Sequence, residues 1–534
     1  MSTGVMTRER PGERAGRAGP ARFADVLRAE WTKFRTVRGW VIGMIVAAVL
    51  IDVVGLLGVQ SSIGCGGGRT GAACIQPVPT GPGGEAVTDS FYFVHQPLAS
   101  HGSITTRITS LTGQHMGGAG PAGPARQGSQ PSLSPGIQPW SKAGILIKAS
   151  ARPGSPYAAM LVTGGHGARF QDNYTQDVPG LPGKVTAAAP RWLRLTRSGD
   201  TVTGYDSADG SHWTEVGAAH LAGLPATAVA GLFAASPPYQ KLTSFFGGTE
   251  GQIGPSLATG VFDQVSLSGG QRGGRWAGSD IGASGPAYSG PQIGFRRAGG
   301  RFTVTGSGDI APDVPGLGMG ATIEEHLAGT FAGLIAIVVI AAMFMTAEYR
   351  RGLIRTTLAA TPRRGRVLAA KAVVIGLVAF VAGLPAAAVA VVAGARISHD
   401  QGQYVLPVTW LTEARVIAGA AALLAVAAVL AVAIGALLRR SAAAVAAVIV
   451  AIVLPYILGV AQVLPLGAAE WLLRVTPAAA FAIQQSIPQY AQVTAPYTPP
   501  AFFPLSPWAG FAVLCGYAAA ALALAMYLLR RRDA

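Results

Sequence analysis

The chain has 534 residues, half of them hydrophobic and only 12% charged, with a formal net charge of +16 and a mean hydropathy of +0.39. These values exclude an ordinary soluble domain, while 72 glycines and 36 prolines are too many for helices alone and require a turn-rich part. The positive charge is not that of a nucleic-acid binder, because the basic residues cluster beside apolar runs and no basic patch interleaved with aromatics occurs.

Residues 1–39 form a basic tail with Arg8, Arg10, Arg14, Arg17, Arg22, Arg28, Lys33, Arg35 and Arg38. Within it Phe23, Val26, Leu27, Trp31, Phe34 and Val37 recur at helical spacing, with Arg28, Glu30, Lys33 and Arg35 between them. This pattern predicts an amphipathic helix lying on the inner membrane surface. Six runs then reach the length of about 20 apolar residues that a spanning helix needs: Trp40–Val59, Leu327–Met345, Ala372–Ala393, Val416–Leu438, Ala442–Leu464 and Trp508–Leu529. Only the first contains a charged residue, Asp52. An acid at a helix centre opposes insertion by roughly 2.5–3.5 kcal/mol, so Asp52 is expected to face a partner helix or a water-filled path.

The first run does not read as a cleaved signal: its leading segment is too long and no A-x-A site follows. Ser62-Ile63-Gly64-Cys65 partly matches a lipoprotein site but lacks the usual leading aliphatic residue. Basic residues fix the orientation. The tail, the 346–371 connection (Arg350, Arg351, Arg355, Arg363, Arg364, Arg366, Lys371), Arg439–Arg440 and Arg530–Arg532 fall on one side of six crossings. That side is expected to be the cytoplasm, with both termini and the 530–534 tail in it.

Residues 60–326 then lie outside. They are rich in Gly, Ser, Thr and Pro, with short strand-like runs at Ser90–Val94, Ser103–Leu111, Ala143–Ala149, Tyr157–Thr163, Trp192–Thr196, Thr201–Tyr205, Ala226–Ala234 and Val261–Leu267. Ser207-Ala208-Asp209-Gly210 reads as a hairpin turn, Gly113–Gly136 as a mobile insertion, and Gly269–Gly320 as a less regular stretch that packs on the sheet or links it to the membrane. A β-sandwich follows. Cys65 and Cys74 face an oxidising compartment and could close a small loop by a disulfide, or remain apart. Cys515 falls in a span.

The run Trp140-Ser141-Lys142-Ala143-Gly144-Ile145-Leu146-Ile147-Lys148, then Ser155-Pro156-Tyr157-Ala158-Ala159, Arg191-Trp192-Leu193-Arg194-Leu195, Thr203-Gly204-Tyr205 and Asp209-Gly210 with Trp213 resembles a concanavalin A-like jelly-roll domain over about 90–268. Members of that superfamily often bind carbohydrate, and some hydrolyse it. Hydrolysis needs two carboxyl groups across a cleft, and the scattered Asp172, Asp177, Asp200, Asp206 and Asp209 offer no E-x-D-x-E strand. Trp140, Trp192, Tyr205 and Trp213 could stack on a glycan. The preferred reading of each is sandwich core, since aromatics favour strands and bury large areas.

The stretch Trp31-Thr32-Lys33-Phe34-Arg35-Thr36-Val37-Arg38, with Glu348-Tyr349-Arg350-Arg351-Gly352-Leu353-Ile354-Arg355 and Thr361-Pro362-Arg363-Arg364, resembles the permease subunit of type-2 ABC exporters over 22–60 and about 325–532. The resemblance implies a six-helix membrane protein of a bacterial plasma membrane, embedded in lipid and paired with a second permease copy or homologue. Glu348, Arg351, Gly352, Arg355, Pro362 and Arg363 would then mark the element that touches an ATPase, and about 466–505 a re-entrant region on the outer side. Leu353 stands where that family would carry Thr. No G-x-x-x-x-G-K-[ST] loop occurs, so ATP and Mg belong to a separate ATPase chain, and no cofactor or metal is expected here. The expected fold is six transmembrane helices with an all-β sandwich inserted between the first two. The expected function is export, with the outer domain on cargo or envelope glycan. The alternatives are a non-transporting sensor that relays ligand occupancy to the ATPase, and a membrane-anchored glycan-active enzyme.

Overall fold

The computed structural model describes residues 22–61, 78–116, 133–245, 248–270, 274–282, 293–314, 320–350, 364–401, 403–460, 464–493 and 502–531. Helix α1 (Phe23–Thr36) opens with an acid in its first turn, where the free N–H groups favour one, and the Asp25 carboxylate accepts a hydrogen bond from the Arg22 N–H at 3.0 Å. It ends at Val37, which is extended, and α2 (Arg38–Ser61) begins at the next residue. The other helices are α3 (Thr330–Arg350), α4 (Arg364–Asp400), α5 (Trp410–Leu438), α6 (Ser441–Val460), α7 (Leu466–Val475) and α8 (Pro507–Arg531). Among the described residues six helices are long and apolar enough to cross a membrane: α2, α3 with the 3-10 turn Ile323–Gly329 before it, α4, α5, α6 and α8.

Each predicted span therefore corresponds to a helix, but two begin well before their apolar runs. Helix α4 starts at Arg364 and takes in Lys371, and α5 starts at Trp410 and takes in Arg415. Hydropathy ends an apolar run at a charge and so places Lys371 in the 346–371 connection; each cation is retained in a helix because it has partners there. Arg415 donates to the carbonyls of Ile483 (3.5 Å) and Gln485 (2.7 Å) at the end of a buried 3-10 segment, Pro477–Gln484. That segment and α7 occupy the first half of the region expected to be re-entrant, and the 3-10 segment packs between α5 and α8. Spans α2 and α3 approach closely: a Cβ on Gly55 would sit 2.5 Å from the His326 carbonyl oxygen. The bundle shares one continuous apolar core.

Between α2 and the 3-10 turn lies a large antiparallel β domain. One long strand, Phe91–Met116, replaces the two expected runs; it pairs first with Ala228–Ala235 and then with Arg191–Ser198 along one edge. The sheet thereby divides into a layer containing Lys142–Lys148, Tyr157–Thr163 and Ala168–Asp172 and a layer containing Arg191–Ser198, Thr201–Ser207 and Thr214–His220. Ile145, Met160, Phe170, Leu193, Leu195 and Val202 fill the space between them. The first layer is buried on its other face too, where Leu146, Tyr157 and Leu161 meet Phe91, Phe233 and Ile310. Strands covered on both faces read as continuous apolar runs rather than as alternation. The stretch after Gly269 joins the domain through Ala277–Ile281, Gly294–Ala298, Arg301–Gly306 and Ile310–Pro312.

Two buried lysines at the ends of Lys142–Lys148 fasten the ribbon Val87–Asp89/Ile310–Pro312 to this layer. Lys142 pairs with Asp309 at 2.6 Å, and Lys148 with Asp89 at 2.7 Å while also donating to Tyr174 Oη at 2.9 Å. The β domain rests on the helices through Ala86, Ala311, Val314, Leu406, Ile487 and Phe502. A two-residue parallel bridge, Gly320–Ala321 with Tyr404–Val405, reinforces the seam.

Candidate functional site

At the end of the bundle opposite the β domain, α1, α3 and α4 meet in a closed charge cluster. Lys371 Nζ donates to Glu30 Oε2 and to Glu348 Oε1, both at 2.6 Å. Lys33 Nζ donates to Glu30 Oε1 at 2.7 Å and to Glu348 Oε1 at 3.1 Å. Two acids thus balance two bases. Glu30 and Lys371 are 1% and 0% exposed, and such residues are almost never fully buried unless paired. Burial alone would push the Lys33 amine down, but its bonds to Glu30 and the nearby Glu348 carboxylate outweigh this and hold its pKa above the ordinary value.

The floor of the cluster is aromatic. Phe344 lies 4.7 Å from Lys371 Nζ and makes edge contacts with Phe34 of α1 and Trp40 of α2. Beside it Arg439, the left-handed cap that ends α5, sets its guanidinium 5.4 Å from the Tyr349 ring. The ends of α3 and α4, which bracket residues 351–363, are thereby tied to α1 and to the α5–α6 connection.

Of the coupling residues read from sequence, Glu348 is placed in this cluster, 8% exposed. Arg351, Gly352, Arg355, Pro362 and Arg363 lie outside the described residues, as do Cys65 and Cys74. Glu30 and Lys371 were not singled out. The usable signal was one acid on α1 in phase with Val26 and Phe34, together with a lone lysine at the head of an apolar run.

On the β domain, three of the four aromatics are not in the core. Trp192, Tyr205 and Trp213 are half-buried. Strand register puts Trp192, Arg194 and Tyr205 on the outward face, since the intervening Leu193 and Leu195 point inward. Arg107 lies 5.8 Å from the Trp192 ring and Arg194 3.9 Å from the Trp213 ring, and Arg107 also pairs with Asp263 at 2.7 Å. The core reading fails for Trp192 and Tyr205 because alternation turns them outward, and for Trp213 because it sits half-buried just before the strand Thr214–His220, against Arg194. Trp140 is 5% exposed and stacks on His166 at 4.0 Å. The predicted hairpin turn is present, with Gly210 at φ +81° and the Asp209 carboxylate accepting from the N–H groups of Ser211 and His212.

Asp52 is half-buried on α2, and its Oδ1 has no hydrogen-bond partner. It lines a groove of about 540 Å³ between α2 and α4 that is otherwise walled mainly by apolar side chains such as Met44, Ala48, Val378 and Ala386. A carboxylate so placed can accept a proton or pair with a cation. Among the described residues no His, Cys, Asp and Glu group has the makings of a metal site.

No curated protein matches the chain. Solved structures similar to it include a functionally unknown protein from Saccharomyces cerevisiae (14% identity, TM-score 0.22, 37% of this chain and 83% of that one). A GH43 protein from Bacillus licheniformis is 15% identical at TM-score 0.19, over 32% of this chain and 28% of that one. Scytalido-glutamic peptidase with a transition state analog inhibitor is 7% identical at TM-score 0.23, over 42% and 99%. Likeness at these scores supports no statement about activity. The sequence model described as ABC-2 family transporter protein matches residues 171–534, more than half of the chain, including α3 to α8 and the later part of the β domain; the chain belongs to this family of ABC transporter membrane proteins.

Proposed function

We propose that the protein is the membrane-spanning permease subunit of an ATP-driven exporter, served by a separate ATPase that docks on residues 351–363. The observation that carries this reading is the buried Glu30–Lys33–Glu348–Lys371 cluster. It clamps the two helix ends flanking 351–363 to the interfacial helix, so a push on that segment moves α1, α3 and α4 together. With the basic ends in the cytoplasm, the β domain lies outside. We read it as a concanavalin A-like domain that meets cargo or an envelope glycan with the face carrying Trp192, Tyr205 and Trp213. The seam through Leu406, Ile487 and Phe502 also favours a second reading, in which occupancy of the outer domain is relayed to the ATPase without transport.

Affinity capture of the full chain in mild detergent tests the proposal. An ATPase chain bearing a phosphate-binding loop should co-purify, with a second permease copy or homologue. In vesicles, flux coupled to ATP turnover supports the exporter. Ligand-dependent turnover without flux supports the sensor, and purification of the chain without any ATPase overturns both.

A further inference from the structure

We propose that the groove between α1, α4 and α8, at the end of the bundle away from the β domain, binds the phosphate headgroup of an anionic phospholipid. The groove has a volume of about 650 Å³ and is lined by Arg364, Gly365, Arg366 and Ala369 of α4, Met526 and Arg530 of α8, and Phe23 of α1. Three arginines, from the first turn of α4 and the last turn of α8, thus line one space, and among the described residues no acidic side chain lines it. Guanidinium is suited to this task, because its fork of donors matches phosphate oxygens.

The site is built as well as charged. Arg364 Nη1 donates to the Leu529 carbonyl at 3.1 Å, which holds the start of α4 against the end of α8. The N-terminus of α4 opens into the same groove and adds the favourable end of a long helix dipole. Immediately beyond Arg366 the helix turns apolar and buried at Val367 and Leu368, so the guanidinium groups stand at headgroup level. Phe23 and Met526 offer apolar surface beside them for the upper acyl chain. Orientation by positive charge requires arginines on this side of the membrane, but not their convergence on one groove. Basic pockets between spanning helices are the form that anionic-lipid sites take. A soluble phosphate ester shares the headgroup chemistry but would leave the Phe23 and Met526 wall unused.

The test is native mass spectrometry of the full chain in mild detergent, titrated with phosphatidylglycerol or phosphatidylcholine. Phosphatidylglycerol should be retained in a defined stoichiometry and phosphatidylcholine should not. Arg530→Gln, at an exposed last-turn position that folding tolerates, should weaken retention about tenfold, and Arg366→Gln with Arg530→Gln should abolish it. Equal retention of the two lipids, or unchanged retention in the single and double variants, overturns the proposal. Displacement of the lipid by glycerol phosphate at equal concentration assigns the groove to soluble phosphates and overturns the lipid assignment.

Discussion

Lys371 and Glu348 stand on opposite sides of residues 351–363, and Lys371 Nζ lies 2.6 Å from Glu348 Oε1 in a pocket closed by α1. The connection is therefore stapled at its base. Lys371 also holds Glu30 at 2.6 Å, so the staple cannot open without exposing or stranding a charge on α1. A segment held this way can pass a displacement into three helices, whereas a loop on flexible ends would absorb it.

The first prediction is an asymmetry between the two lysines. Lys371→Met leaves two buried carboxylates with one partly exposed cation, and breaking a buried pair from one side typically destabilises by about 3–5 kcal/mol. Lys33 has a side chain 41% exposed, so Lys33→Ala should cost no more than about 1 kcal/mol. Thermal unfolding of the full chain in detergent should show a large loss for the first variant and a small one for the second. Equal losses would mean that the cluster is not the buried staple described.

This asymmetry also shows what the sequence could and could not disclose. Spans were legible because apolar length alone specifies a membrane helix, and the strands around Lys142–Lys148 and Tyr157–Thr163 because both faces are covered. Lys371 was assigned to a loop because hydropathy counts a cation as a boundary, whereas Glu30 and Glu348 neutralise it inside α4. Trp192, Tyr205 and Trp213 were given to the core on residue type, although the alternation around Leu193 and Leu195 already placed Trp192 outward. The cluster joins residues about 340 positions apart (Glu30 and Lys371), and only packing brings them together.

Topology is the second prediction. In a background with Cys65, Cys74 and Cys515 replaced by Ala, a cysteine at Ser211, exposed beside the 207–210 turn of the β domain, should react with an impermeant thiol reagent in intact cells. A cysteine at Arg440, exposed between α5 and α6, should not. Labelling at 440 with none at 211 would invert the orientation.

The third prediction concerns pH at the seam. Burial pushes the Asp313 carboxyl up to about 6, so between the ordinary carboxylate range and pH 6 the folded state keeps a proton that the unfolded chain has released. Stability from this group is present at low pH and is lost as pH rises through about 6, by at most about 3 kcal/mol. Asp313→Asn should flatten that slope in thermal midpoints measured between pH 4.5 and 7.5. Asp172 is also raised to about 6 by burial, so part of the slope should remain. An unchanged slope in the Asn variant would show that Asp313 ionises normally.

The fourth prediction addresses the outer face. Residues 78–314 expressed alone should fold cooperatively with a β-type circular dichroism spectrum, and a mainly helical spectrum would refute the sandwich. Trp213→Ala removes a half-buried ring stacked under Arg194, and should cost less than the roughly 3–5 kcal/mol typical of a buried tryptophan. If the face meets envelope glycan, the same substitution should abolish binding on a glycan array while leaving the spectrum intact. Undiminished binding would move the site elsewhere on the domain.

The last prediction separates contact with the ATPase from the staple beneath it. Arg363→Glu reverses a charge in the segment proposed to meet the ATPase, where like charges brought together typically cost several kcal/mol. The neighbouring arginines still supply the orientation signal, so this variant should reach the membrane at normal levels and lose co-purification with the ATPase. Glu348→Arg should behave differently, because Glu348 is buried between Lys371 and Lys33. Three cations would then share one acid, and the protein itself should fall in abundance and thermal stability before any partner is involved. Glu348→Gln keeps the shape, removes the charge and should show a milder form of the same defect. If Arg363→Glu keeps both ATPase association and coupled transport, residues 351–363 are not the docking segment. The contact must then be sought on the exposed face of α1 around Trp31 and Arg35.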